Sequence, residues 1–415
     1  MAYTALFRNG NFLKLWGAQV ASQLAANLLN FALIIRVFDL AAGTWYQNIS
    51  VSLLITAFGV PSIVFAAFAG AMIDHLDRKK VLVATNLVRA VLVLLFLVLD
   101  TQIVWVYLTI FAISTFTQFF VPAEAAALPS VTDHDHLVAA NSLFVFTLYG
   151  SFMVGYSLAG PVVKLFGPYG AYWVTSGAFL LAGLLSLGLP TMRATDKTRP
   201  KLRKLLNQVT RQVGRNIHLT LRKREYAFPI MQLTIAQAIV GVVIVLAPAL
   251  SQVILGKNLS DTSHILVIPA GVGMVLGANA VGQFLRKADK YRLIKIGVVL
   301  GGLMLVALGL VRQVVAPVSL VILAAAVVFI LGLVNALVSV SAQTLLQINT
   351  TDDIRGKVFG SLNMMVNIAA VLPVLLAGIT ADLVSPTTVV LVVGVIILIY
   401  GVFMKHPVIT DQEKA

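Results

Sequence analysis

The residues whose types and spacing point to the most specific chemistry lie in one short charged stretch, residues 70–80. Gly70 and Asp74 are four positions apart, so they share one face at the end of a helix. A glycine lets a second helix approach closely, and a carboxylate accepts from the open N–H groups at a neighbouring helix N-terminus. Arg78 and Lys79 follow at the same end. This spacing predicts a helix-capping contact, with an incidental acid in a basic loop as the alternative.

Further polar residues lie inside long apolar runs, where an amide is costly unless it faces a cavity or a partner. Gln23, Asn27 and Asn30 are spaced by four and three residues, so they line one face of a helix. We expect them to hydrogen-bond a substrate or water in a central cavity, or, as the alternative, to join neighbouring helices. Three weaker candidates for the same cavity lie in the second half of the chain: Asn335, Asn363 and Asn367.

One arginine and one glutamate require a separate explanation. Arg89 lies nine residues beyond Lys80, which places it about 13 Å along a helix inside an apolar run. A cation there lines a polar pathway or pairs with an acid, or else it snorkels or donates to carbonyls. The apolar runs offer no clear acid as its partner. Glu124, at the end of another run, is the best candidate for accepting a proton, and a loop-end carboxylate is the alternative.

Composition places the chain in a membrane. Its 415 residues are 59% hydrophobic and 11% charged, whereas a soluble domain has about 25% charged residues. The net charge of +14 does not indicate nucleic acid, because the positive residues lie in short loops, where they set topology and contact anionic inner-leaflet lipids. The absence of cysteine excludes disulfides and thiol chemistry. The six scattered histidines suggest no metal cluster, and we expect no cofactor and no removable signal peptide.

The apolar runs are each about 20 residues long, as a bilayer core of about 30 Å requires, and they must be helices because lipid cannot satisfy backbone groups. We therefore predict an all-α membrane protein with twelve transmembrane helices. Two six-helix bundles, residues 1–190 and 229–415, flank a basic linker with an amphipathic helix at 191–228. The predicted spans are 14–38, 48–73, 81–99, 103–122, 142–163, 170–190, 229–254, 263–285, 292–311, 317–341, 358–382 and 386–404.

The distribution of lysine and arginine predicts orientation. With both termini inside, nearly all of these residues fall in inner segments, and Lys164, Lys257 and Arg312 fall outside. We therefore expect a multi-pass protein of a bacterial plasma membrane with both termini cytoplasmic.

The two halves also share a faint internal repeat. Six identities at one constant offset align the loop after span four with the loop after span ten, which predicts parallel, pseudo-symmetric six-helix bundles. The pairs are Val121/Val340, Ala123/Ala342, Thr132/Thr351, Asp133/Asp352, Ser142/Ser361 and Leu143/Leu362.

The charged stretch resembles the loop between spans two and three of the major facilitator superfamily, whose usual form is Gly-x-x-x-Asp-Arg-x-Gly-Arg-Lys. Gly70, Asp74, Arg78 and Lys79 match it. The resemblance implies two pseudo-symmetric six-helix bundles that work by alternating access. It also implies that Asp74 caps the N-terminus of span eleven, near residues 358–361, and holds the cytoplasmic side shut. The loop departs from the pattern at two positions, His75 and Asp77.

Three segments, residues 7–16, 120–141 and 347–360, resemble the group that includes macrolide-efflux proteins. This resemblance implies a secondary transporter that exports small amphipathic molecules and couples to protons. Two departures count against coupling: no acid follows Ser22-Gln-Leu24 in span one, and Lys164 interrupts the antiporter-like motif of span five. The part of that motif that is present consists of Gly155, Gly160 and Pro161.

Alternatives to drug export remain. The first is a lysophospholipid or other lipid-like substrate, and the second is a membrane sensor or scaffold that kept the fold but lost coupling. An intramembrane enzyme is disfavoured, because we find no paired nucleophile and base and no metal spacing within a span. We expect a monomer whose partners are its small-molecule substrate and the bilayer.

Overall fold

The computed structural model describes residues 2–73, 75–192, 220, 222–252, 263–285, 288–314, 317–350 and 352–404. All regular structure in these ranges is helical, and they contain twelve helices long and apolar enough to cross a membrane. The predicted all-α membrane fold with twelve spans is therefore confirmed. Asp74 and most of the predicted linker, residues 193–219, lie outside the described residues, so the amphipathic linker helix and the domain boundaries stay predictions.

The described residues of the first half form seven α-helices and one short 3-10 helix, His134–His136. Gly167 interrupts the last of them, because its φ of 70° and ψ of 177° lie in a region that suits glycine and breaks helical geometry. This single residue separates the spans predicted as five and six. The helices are α1 (Ala2–Arg8), α2 (Gly10–Leu40), α3 (Gln47–Ile73), α4 (Arg78–Leu94), α5 (Phe96–Leu99), α6 (Ile103–Val131) and α7 (Leu137–Leu187).

The second half also forms seven helices in its described ranges. A π-helical turn, Ser263–Val267, precedes the second of them, and predicted span eleven consists of two helices separated at residues 370–371. The helices are α8 (Arg224–Leu250), α9 (Ile268–Gln283), α10 (Lys290–Val314), α11 (Pro317–Asn349), α12 (Asp352–Ala369), α13 (Leu372–Leu383) and α14 (Pro386–Phe403).

The chain divides into two compact units. Unit 1 comprises Met1–Ala42 and Ala57–Val209, and unit 2 comprises Gly43–Thr56 and Thr210–Ala415. Helix α3 therefore belongs to both units, with its first ten residues in unit 2. In unit 1 the buried core includes Phe12, Leu82 and Phe120. In unit 2 one buried cluster is formed by residues that include Ile294, Val338 and Ala342.

Side-chain caps define two of the helix starts. The Asn9 side chain accepts from the backbone N–H groups of Asn11 and Phe12 at 3.0 and 3.1 Å, which satisfies donors that α2 cannot pair internally. Its Nδ2 donates to the Val131 carbonyl oxygen at 2.8 Å, so the start of α2 is joined to the end of α6. Asp77 caps α4 by accepting from Lys80 N, which gives this departure from the family loop a structural role.

Candidate functional site

A buried arginine lies at the centre of unit 1. Arg89, on α4, is 1% exposed and is the largest of the fully buried side chains in the described residues. Its guanidinium hydrogen bonds reach three helices, α2, α4 and α6. The acceptors are Thr85 O at 3.2 Å, Asn86 Oδ1 at 2.8 Å, Ser22 Oγ at 3.1 Å and Thr117 Oγ1 at 3.4 Å.

Two aromatic rings complete this environment. The Arg89 guanidinium carbon lies 4.5 Å from the ring centroid of Phe120 and 4.6 Å from that of Phe179. Both distances fit cation–π attraction, which is strongest where water is excluded. The sequence predicted that Arg89 lines the substrate cavity. In the structure its N–H groups donate to protein atoms. One of the alternatives, donation to a carbonyl, is realised at Thr85, and contact with substrate stays a prediction.

The buried acid nearest in sequence to the Arg89 contacts is Glu124. It is 5% exposed and lies on α6 one helical turn beyond Phe120, whose ring contacts the Arg89 guanidinium. The sequence offered no clear acid in the apolar runs as a partner for Arg89, and among the described residues no ion pair joins Arg89 to Glu124. Within the described part of the chain, the buried Glu124 Oε1 accepts no hydrogen bond. A buried carboxylate with an unpartnered oxygen is costly as an anion, so a proton at this atom removes an energetic penalty.

The predicted amide stripe is present on α2. Gln23, Asn27 and Asn30 are each partly buried, and in the residues that the structure describes none of these three side chains has a hydrogen-bond partner. Among the described residues they make no hydrogen bond to a neighbouring helix, and both readings of this stripe stay predictions. Their amides remain available to a ligand or to water, at a position next to Ser22, which accepts from Arg89.

The glycine motif of span five packs against this stripe. A Cβ atom on Gly155 would lie 2.6 Å from Asn27 Cβ and 3.1 Å from the Leu28 backbone nitrogen, so only glycine allows α7 to approach α2 this closely. Gly160 is buried and Pro161 is partly buried, both inside α7. The sequence singled out these three residues by resemblance, and Gly155 is the one that the structure shows in close contact with the amide-bearing helix.

Unit 2 contains a small cavity of its own. Its water-accessible volume is ≈ 40 Å³, and Gln232 and Asn335 are its amide residues. Gln232 donates through Nε2 to the Tyr400 hydroxyl at 2.6 Å, whereas its buried Oε1 has no partner among described atoms. Sequence reasoning missed Gln232, although an amide inside an apolar run was the available signal. The other two candidates lie on α12, where Asn363 is exposed and Asn367 is partly buried.

The charged hairpin is described on both sides of Asp74. Arg78 donates through Nη1 to the Ala126 carbonyl oxygen at 2.9 Å and to Ser130 Oγ at 3.2 Å, both in the last turns of α6. A cation at a helix C-terminus is favourable because it satisfies carbonyls and complements the dipole. Gly70 and Lys79 are partly buried. The helix end that Asp74 was expected to cap, near residues 358–361, lies instead at Asp352, where α12 begins. Asp74 itself lies outside the described residues, so its capping role stays a prediction.

An ion pair between a partly buried arginine and a buried aspartate in unit 1 was not predicted. Arg36 Nε lies 3.0 Å from Asp100 Oδ2, which also accepts from the Tyr172 hydroxyl at 3.2 Å. Asp100 is 0% exposed. The feature of the sequence that could have indicated this ion pair is Arg36, a cation inside span one that requires a partner. Asp100 was missed because it lies at a predicted span end, where an acid does not attract notice.

Comparisons with known proteins agree on the class. A profile of the Major Facilitator Superfamily matches residues 15–372. The chain is 25% identical over 408 residues to the uncharacterized MFS-type transporter YfiS of Bacillus subtilis (strain 168), covering 95% of this chain and 93% of the relative. It is 29% identical over 184 residues to the uncharacterized MFS-type transporter YkuC of the same organism, covering 43% and 42%.

Solved structures show the same fold at low identity. A bacterial homolog of the human lysosomal transporter Spinster, inward-facing and unoccupied, matches with a TM-score of 0.73 at 10% identity, covering 95% of this chain and 96% of that one. The nucleoside transporter NupG matches with a TM-score of 0.72 at 13% identity, covering 94% and 97%. At these identities the likeness shows the fold alone. Together with the profile, it confirms the predicted fold class.

Proposed function

We propose that this chain, which belongs to the major facilitator superfamily and is therefore a membrane transporter, exports small amphipathic molecules by proton-coupled alternating access. The observation that carries the proposal is that two buried charged residues lie on either side of Phe120, Arg89 against its ring and Glu124 one turn further along α6 with a carboxylate oxygen that has no partner among the described atoms. They lie beside a helix whose amides have no partner in the described residues. No acid follows directly after Ser22-Gln-Leu24 in span one, so Glu124, supplied by α6, is the residue proposed to carry the proton.

Proton binding at Glu124 changes the charge near the amide stripe. With Glu124 ionised, the pair is neutral overall. With Glu124 protonated, the Arg89 charge is uncompensated, and it is held by Ser22, Thr117 and two aromatic rings. Charges act strongly on one another in a medium of low dielectric constant. The change is transmitted to α2 through Ser22, which is next to Gln23.

The amide stripe indicates the substrate class. Gln23, Asn27 and Asn30 offer hydrogen-bond donors and acceptors without formal charge, and the residues between them on α2 are all leucine or alanine. Such a surface suits a molecule with an apolar body and a few polar groups, because apolar contact supplies affinity and a few placed polar groups supply orientation. We therefore place macrolides and amphipathic dyes ahead of highly charged solutes, and a lysophospholipid remains a competing substrate of the same type.

The test is transport in everted vesicles from a bacterial host that lacks its own exporters, with ethidium and erythromycin as probes. We expect an imposed proton gradient to accelerate uptake by the wild-type chain and to have no effect on Glu124→Gln. The matched control is Glu225→Gln, which loses only the partly exposed ion pair with Lys223 at 3.7 Å and should keep its gradient response.

Three outcomes count against the proposal. A gradient response retained by Glu124→Gln would remove Glu124 from coupling. Uptake by the wild-type chain that ignores the gradient would favour the uncoupled sensor or scaffold. Suppression of ethidium uptake by micromolar lysophospholipid, with no suppression by erythromycin, would reassign the substrate to the lipid-like class.

A further inference from the structure

The carboxylate of Asp382 caps the start of helix α3. Asp382 Oδ1 accepts from the Asn48 backbone nitrogen at 2.9 Å and from Asn48 Nδ2 at 2.7 Å, and Oδ2 accepts from the Ile49 backbone nitrogen at 2.7 Å. The first N–H groups of a helix have no partner within it, and a negative charge is favourable there. One carboxylate on α13 therefore satisfies three donors at the first turn of α3.

A glycine one turn earlier brings the two helices into contact. Gly378 and Asp382 lie four residues apart on α13, and Asn48 and Ser52 lie four residues apart on α3, so each pair shares one face of its helix. A Cβ atom on Gly378 would overlap the Ser52 hydroxyl and would lie 2.7 Å from Ser52 Cβ and 2.8 Å from the Asn48 carbonyl oxygen. The cap and the close approach are separate observations, and both join the same two helix ends within unit 2.

The sequence pattern of this contact occurs twice in the chain. Residues 378–382 read Gly-Ile-Thr-Ala-Asp, and residues 70–74 read Gly-Ala-Met-Ile-Asp. Residues 378–382 end span eleven, and their aspartate caps the start of span two. The second ends span two and, by family resemblance, caps the start of span eleven. The repeated pattern therefore predicts reciprocal connections between the same pair of spans, at opposite ends of each, of which the Asp382 connection is the one described.

We propose that Gly378, Asp382, Asn48 and Ser52 form an outer clamp, which holds the outer end of the transporter shut as residues 70–74 are expected to hold the inner end. The positive-inside distribution places the start of α3 on the outer side. Helix α3 carries the clamp at residues 47–56 in unit 2 and continues from Ala57 in unit 1, so releasing its first turns frees that end of the helix. The clamp presupposes the alternating-access function proposed above.

The experiment is hydrogen exchange, measured by mass spectrometry, on the purified full chain. In Asp382→Asn we expect the peptide covering residues 44–52 to exchange about tenfold faster than in the wild type, because the Asn48 and Ile49 amides lose a charged acceptor. Asp133→Asn removes the same charge from an exposed loop residue and should leave this peptide unchanged. In Asp74→Asn the same peptide should become better protected, because loss of the inner contact favours the state in which the outer clamp is closed.

The outcomes separate the clamp from a simple structural cap. Unchanged exchange in Asp382→Asn would overturn the contact, and unchanged or faster exchange in Asp74→Asn would overturn the reciprocal gating.

We also expect Asp382→Asn to slow ethidium export severalfold, and normal export together with faster exchange would reduce Asp382 to a structural role. If the wild-type chain moves no ethidium, the transport proposal fails, whereas the opposite exchange responses of the two variants still decide the clamp. Monodispersity of each variant on a sizing column controls for folding.

Discussion

Replacing Arg89 by methionine tests whether Arg89 and Glu124 act as one electrostatic unit. The substitution removes four hydrogen bonds and two cation–π contacts, and it leaves the Glu124 carboxylate buried without a counter-charge. Leaving buried polar groups without a partner costs about 1–3 kcal/mol each, so we expect a total loss of about 3–5 kcal/mol for this substitution. Part of the loss should come from the buried Glu124, which no longer has a cation near it, so the cost should depend on whether Glu124 is also replaced.

The double variant Arg89→Met/Glu124→Gln removes both charges and keeps both side-chain volumes close to their original values. Replacing a buried pair by neutral groups is often nearly neutral or stabilising, so we expect the double variant to recover at least about 2 kcal/mol of the loss, within the usual range of coupling between contacting residues. Additivity of the two single changes would refute this account, because it would show that the carboxylate does not act on the arginine.

The assay is thermal unfolding followed by tryptophan fluorescence, because the chain has four tryptophans and no cysteine for thiol-reactive dyes. A loss of about 1 kcal/mol lowers Tm by about 2–4 °C in a body of roughly 150–250 residues, so Arg89→Met should lower Tm by about 10 °C. Arg292→Met is the matched control, since Arg292 is exposed on α10 and its replacement should change Tm by about 1–2 °C at most.

Three further predictions follow from single contacts. Asp74→Asn should lower transport while expression survives, and unchanged ethidium rates in vesicles would refute its gating role. Gly155→Ala should lower stability by about 1–3 kcal/mol, because its Cβ would lie 2.6 Å from another side chain. Gly150→Ala, with nothing within 4 Å, should be close to neutral in the same thermal melt. Asp100→Asn should cost about 1–3 kcal/mol by weakening the contact with Arg36, and a Tm equal to that of the wild type would contradict it.

The fold could be predicted from the sequence because lipid leaves few choices. A run of about 20 apolar residues must be a helix, and α14, Pro386–Phe403, lies within one residue of its predicted bounds. Interruptions were harder to predict. Gly167 alone separates two spans where a loop of several residues was expected. The break was missed because a positive φ at one residue is a feature of backbone geometry that cannot be seen in the composition.

Candidate site residues could be chosen from the sequence only where they share one helix. Gln23, Asn27 and Asn30 were chosen by helical spacing, and their place in a substrate cavity stays a prediction. Pairs between helices were not predictable in the same way. Asp100 and Arg36 are far apart in sequence, and nothing in the spacing of one span indicates which residue of another span faces it.

The charged hairpin shows how family resemblance and physical chemistry complement each other. The resemblance identified Arg78 as part of a motif, and the structure shows that it binds the last turns of α6. The departure at Asp77, which resemblance could not explain, is a helix N-cap. A residue that departs from a family pattern is therefore better judged by its local hydrogen bonds than by the pattern alone.

The most direct test of proton coupling through Glu124 is proton movement driven by substrate. Proteoliposomes that contain the purified chain and the pH-sensitive dye pyranine are given an ethidium gradient with no imposed pH difference. We predict that the wild-type chain changes the internal pH as ethidium moves and that Glu124→Gln moves ethidium without changing it. An equal pH change in both proteins, or none in the wild type while ethidium moves, would contradict coupling through the buried Arg89–Glu124 pair.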